Sequence, residues 1–233
     1  MIAISVLYGG GGGAVKGEAV PAPGQPTTSG QPATTTTTTG AAPTTTGAPD
    51  PDSVEIANPD APLTYRVPRT WAPDPAARTE VLGVEFAGAA TFAQYECGGE
   101  RYSRAFAVSA AVQSTGEEDL DPKATAEKFA AEFGARYFAG GEAGEPQAGE
   151  AEVAGRAAVL VVAPVAVTGQ DPECLATAGI VTVLAVDLDN GAGTGKRGVA
   201  LLVIVADVRG GPTEPAPPSQ QDLREVIAGV RIK

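Results

Sequence analysis

Three long apolar runs in the second half of the chain constrain its fold more than any other feature. They read AAVLVVAPVAV (157–167), CLATAGIVTVLAVDL (174–188) and GVALLVIVADV (198–208). Each is rich in valine and alanine and is bounded by turn-forming residues, the pattern of β-strands. They are continuously apolar instead of alternating, which predicts strands covered on both faces. The loop DLDNGAGTGKRG between the last two runs has Asn190-Gly191, a pair suited to positive φ in a hairpin turn. A phosphate-binding loop needs glycine where Asn190 stands and a hydroxyl where Arg197 stands. A calcium loop would use Asp187, Asp189 and Asn190, but its closing glutamate is absent.

Upstream of these runs the pattern changes. In PLTYRVPRTW, Leu63, Tyr65 and Val67 alternate with polar residues as in a half-buried strand that Pro68 ends. GVEFAGAATFAQYEC predicts two short strands around Gly88, and YSRAFAVSAAVQ one more. The segment DPKATAEKFAAEFGARYF predicts a helix, with Asp121 as cap, Pro122 in the first turn and Phe129, Phe133 and Tyr137 at four-residue spacing. A second helix is expected over SQQDLREVIAGVRI, capped by Ser219. The economical assembly is an α+β fold, an antiparallel β-sheet with helices packed on it as an α/β/α sandwich.

The first 52 residues belong to no such assembly. Residues 18–52 are almost all Pro, Thr, Ala, Gly, Gln and Ser, with an unbroken threonine run at Thr34–Thr39. This composition cannot bury enough apolar surface to offset backbone entropy, so a disordered tether is expected, reaching at most ~100 Å. Residues 1–17 open with an apolar run, Ile2–Tyr8, then glycines. The run is too short for a membrane helix, and the expectation is the outer end of a truncated membrane anchor. Residues 53–233 then form a single globular domain.

The motif Tyr65-Arg66-Val67-Pro68 with Trp71, then Tyr95-Glu96-Cys97, the VAGRA turn, the long apolar strands and the closing helix resemble the PsbP-like fold. More narrowly, with the Pro/Thr tether they resemble LpqN-type tethered extracytoplasmic domains of actinobacteria. The resemblance spans about residues 60–232 and implies a helix–sheet–helix sandwich at the cell envelope, with no activity or catalytic residue to carry over. The chain departs from the lipoproteins in having no cysteine near its start.

Charge and residue usage narrow the function classes. The net charge is −12, from 28 acidic and 16 basic residues, and there is no histidine. No Lys/Arg cluster stands out, so nucleic acid and anionic membrane surfaces are poor partners. Without histidine, the commonest general base and metal ligand are both missing. No cofactor or metal is expected.

The two cysteines, Cys97 and Cys174, are expected to form a disulfide, which suits an oxidising compartment; two free buried thiols are the alternative. Candidate ligand-binding residues are Trp71, if it is an exposed aromatic and not, as a lone tryptophan more often is, a core residue, and Arg101, Arg104 and Arg156, if they converge on an anion. The acidic run GEEDLD (116–121) is read as charge favourable to the following helix amino terminus. The expected function is non-enzymatic: a membrane-tethered envelope domain binding an unknown envelope protein or small ligand. The alternatives are a hydrolase using carboxylates or a serine, and a passive structural or adhesive component.

Overall fold

A computed structural model describes residues 52–113, 120–188 and 198–233. The expectations for the anchor, the tether, most of the acidic run and the Asn190-Gly191 turn lie outside the described residues. Along the chain the elements are β1 (Ser53–Ala57), β2 (Leu63–Pro68), β3 (Trp71–Asp74), β4 (Thr79–Val81), β5 (Val84–Cys97) and β6 (Glu100–Gln113). Helix α1 (Pro122–Tyr137) follows, then β7 (Gly141–Ala143), β8 (Gln147–Val153), β9 (Arg156–Val167), β10 (Ala176–Asp187) and β11 (Gly198–Gly210). The chain closes with α2 (Gln220–Ala228) and β12 (Arg231–Ile232).

A nine-stranded sheet runs β3-β5-β6-β11-β10-β9-β7, with β4 also paired to β5 and β8 to β9. Both edges are therefore interrupted strands. The three apolar runs are β9, β10 and β11, side by side near the middle and antiparallel. Register aligns Val161, Val183, Val203 and Val108 across β9, β10, β11 and β6. These valines face α1, which lays Ala126, Phe129, Ala130 and Phe133 over them. Phe86 meets Phe129 and Phe133 edge-on, with centroids 5.4 and 5.0 Å apart. Residues of opposite parity, Leu184, Leu202 and Ile204, bury into a second core on the other face. Strands covered on both faces need no polar alternation.

The α/β/α sandwich is not what forms, and the PsbP-like architecture is corrected with it. Strand makes up 57% and helix 15% of the described structure, which is a mostly antiparallel β fold. A second sheet, β1-β2-β12, occupies the second core in place of a second helix layer. Its strand β2 buries Leu63, Tyr65 and Val67 completely. The reason is length: α2 has nine residues and buries only Leu223 and Val226, too little to roof a sheet this wide. The tail also turns at Gly229, so that Arg231 and Ile232, expected in the helix, pair with Thr64 and Leu63 of β2.

Where two short strands were expected around Gly88, β5 is one strand with a bulge, marked by a register shift between Ala87 and Ala90. Gly88 has φ +58°, and a β-carbon there would sit 3.2 Å from Asn58 Cβ. The bulge aims the Gly88 carbonyl at the second layer, where the buried Tyr65 hydroxyl donates to it at 2.6 Å. Asn58 Nδ2 donates to the Ser109 carbonyl at 2.7 Å, a second polar tie beside it.

Candidate functional site

At one end of the large sheet, on the face that carries α1, lies a cleft of about 430 Å³. Its floor is β6 and β11, through Phe106, Arg104, Val205 and Asp207. One wall is the end of the β5–β6 hairpin, with Tyr95 and Tyr102; the other is the β9–β10 connection, with Gln170 and Leu175. Tyr137 and Phe138, at the carboxyl end of α1, close the inner side.

Each part has a local cause. The hairpin turns at Gly98-Gly99, with φ +62° and +85°, the two positive angles that a tight two-residue hairpin turn requires. Tyr95 and Tyr102 are cross-strand partners, and their rings stack 5.8 Å apart. In the opposite wall, Asp171 starts a turn that accepts from the amides of Cys174 (3.1 Å) and Leu175 (2.8 Å). Gln170 Nε2 donates to the Ala139 carbonyl just past α1. Gly179 of β10 has no β-carbon, and the Phe138 ring occupies the space that one would fill. The two walls are joined covalently by the Cys97–Cys174 disulfide, with Cα atoms 5.6 Å apart. A disulfide of this kind fits an oxidising environment.

Arg104 is the pivot of the floor. Its side chain is 2% exposed and carries only donors. Nε donates to Pro215 O at 2.7 Å, Nη1 to Gly210 O at 2.8 Å and to Asp207 Oδ2 at 3.0 Å, and Nη2 to Pro212 O. The guanidinium also lies 5.2 Å from the Tyr95 ring centroid. Asp207 is its cross-strand neighbour on the same face. Burial pushes the Asp207 carboxyl up to about 6, and the adjacent Arg104 offsets this only in part. The Tyr95 phenol is also raised, by burial first and then by the negative charge of Asp207. Tyr102, at the rim, donates to Glu100 Oε2 at 2.8 Å, which raises its phenol as well.

Of the candidate binding residues, the structure brings two to the cleft. Arg104 is at its floor and Arg101 borders it on the hairpin. Arg156 begins β9 and donates to Leu188 O at 3.1 Å. Val167, which lines the cleft, ends the same strand, so Arg156 lies roughly 36 Å away along it. Trp71 is 2% exposed in the second core, 5.6 Å from Phe92, with the sheet between it and the cleft. Its Nε1 has no hydrogen-bond partner. The three arginines therefore do not meet at one site, and Trp71 is a core residue.

Sequence reasoning missed Asp207 altogether. The available signal was an acid on the inward parity of an otherwise continuous apolar run, VALLVIVADV. Among the described residues, no group of three or more His, Cys, Asp or Glu side chains is placed to hold a metal. No helix among them is long and apolar enough to cross a membrane.

A family model described as Domain of unknown function (DUF8017) matches residues 48–233, a span that includes the whole cleft. No curated protein matches the chain.

Proposed function

We propose that this chain, which belongs to the DUF8017 family, is an extracytoplasmic binding domain that takes a small ligand in the cleft at the end of its large sheet. The observation that carries this reading is the cleft itself: about 430 Å³, lined by five aromatic residues, with a buried ion pair at its floor. Ligand sites have this volume and this mixture of apolar walls and few polar groups. The walls are held by a covalent bond, which favours a pocket formed before the ligand arrives. Among the described residues one carboxylate lines the cleft, which favours binding over the paired acids of a hydrolase. The Cys97–Cys174 bond supports an oxidising compartment. The Pro/Thr-rich composition of residues 18–52 and the resemblance to LpqN-type proteins support tethering at the envelope.

The test is a fragment screen on the full-length chain by ligand-observed nuclear magnetic resonance, with hits mapped by protein chemical shifts. Hits should cluster on Tyr95, Tyr102, Phe106, Gln170 and Asp207. Hits confined to another surface would refute the assignment of the cleft. Protease accessibility in intact cells tests the compartment, since an extracytoplasmic domain is cleaved there and a cytoplasmic one is not.

A further inference from the structure

The polar groups of the cleft are unequally committed. Arg104 spends all three of its nitrogens on protein acceptors, so it has little left for an anionic ligand. Asp207 is the reverse case. Its side chain is 10% exposed, Oδ2 accepts from Arg104, and Oδ1 has no partner among the described residues. Asp207 lines the cleft and its side chain is not fully enclosed there. A carboxylate oxygen in that position lacks a donor, and burial makes the lack costly. Around it stand the rings of Tyr102, Phe106 and Tyr137, whose faces carry negative charge density and attract cations, while the Tyr95 ring already has the Arg104 guanidinium over it.

Resting on the reading of the cleft as a small-ligand site, we infer that its ligand is an organic cation. A protonated amine on an apolar or aromatic body would donate to Asp207 Oδ1 and lay its body against the tyrosine and phenylalanine rings. The net charge of −12 draws cations toward the domain and repels anions. Arg101 borders the cleft at its exposed rim, where register pairs it with Glu96 across the hairpin, while Tyr102, Arg104 and Asp207 lie on the face of the floor.

Three probes with one aromatic body separate the possibilities: 2-phenylethylamine, 2-phenylethanol and phenylacetate, each titrated into the full-length chain by nuclear magnetic resonance. The amine should shift the resonances of Tyr95, Phe106 and Asp207 and bind at least about tenfold more tightly than phenylacetate. Binding of the amine must also follow the ionisation of Asp207. The charged and titratable groups around it are Arg104 and Tyr102 from β6, Tyr95 from β5 and Tyr137 from α1, a guanidinium and three phenols, and neither of those group types titrates between pH 5 and 7.5. With the carboxyl titrating at about 6, lowering the pH from 7.5 to 5 should weaken the amine about tenfold. Asp207→Asn should abolish that pH dependence, and the measurement on the unaltered chain stands even where this variant fails to fold.

Phenylacetate or the alcohol binding as tightly as the amine, or amine binding that ignores pH, would overturn the cation assignment while leaving the cleft a binding site. No perturbation of the cleft by any of the three would overturn both.

Discussion

The Cys97–Cys174 bond should be the largest single covalent contribution to stability, and its size follows from what it encloses. The cysteines are 77 positions apart, and the loop between them contains β6, α1, β7, β8 and β9. Closing a loop of that length removes entropy from the unfolded chain worth about 4.5 kcal/mol in the chain-entropy treatment, and measured bonds more often contribute about 2–4 kcal/mol. In a domain of this size each kcal/mol moves the melting temperature by about 2–4 °C. Reduction should therefore lower it by at least ~4 °C and by as much as about 15 °C. The assay is calorimetry with and without reductant, alongside thiol titration in denaturant, which should find no free thiol before reduction. Cys97→Ser, Cys174→Ser and the double substitution should lose the same amount, because each abolishes one and the same bond. A shift below ~2 °C on reduction would refute the entropic argument. A double variant that loses about twice what each single one does would refute it as well.

Three further expectations follow from the core and the cleft floor. Phe133→Ala removes a fully buried ring that touches Phe86, Phe106 and Tyr137, and should cost about 3–5 kcal/mol by denaturant titration. Arg104→Met leaves a buried carboxylate and three backbone carbonyls without their donor, so a loss of at least about 3–5 kcal/mol is expected. Adding Asp207→Leu to it should recover part of that loss, and a double variant no better than the single would contradict the assigned cause. The Asp207 carboxyl titrates at about 6 in the folded chain against 3.8 ordinarily, so the folded state binds more protons between those values. Its contribution to stability is thus full below pH ~4 and lost as the pH rises through about 6. The stability difference between the natural chain and Asp207→Asn should change with that sign, and a flat difference from pH 4 to 7 would contradict it.

How much of this was legible depends on whether the cause is local. The runs at 157–167, 174–188 and 198–208 declare strands, and Asp121 and Ser219 cap α1 and α2 as their residue types require. Alternation at Leu63, Tyr65 and Val67 shows that β2 buries one face. It does not say against what, and alternation alone is equally compatible with a helix or a second sheet over the second core. The strands that complete that layer leave faint traces: β1 buries only Ile56, and β12 has two residues. The cleft is less legible still. Its residues come from β5, β6, α1, β9, β10 and the connection between them, and β11, and the contact between Arg104 and Pro215 spans 111 positions. Three arginines scattered in sequence give no warning that Arg104 is consumed by backbone carbonyls or that Arg156 stands at the far end of its strand.

The choice of arginine at 104 has a reason that connects the cleft to the segment behind it. Residues 210–218 read GGPTEPAPP, and Pro212, Pro215, Pro217 and Pro218 have no amide hydrogen to give to a strand or a turn. Such a segment offers acceptors and few donors, so the ordinary ladder that holds β11 cannot continue through it. A guanidinium is the complementary group, with five N–H donors fixed in one plane and no acceptor. Here it takes the carbonyls of Gly210, Pro212 and Pro215 together, while Gly211 has no side chain to obstruct it. Lysine, a single ammonium on a flexible stem, could not span three carbonyls and a carboxylate at once. The same guanidinium lies against Tyr95 and Asp207, so the proline-rich segment and the floor of the cleft are held by one side chain.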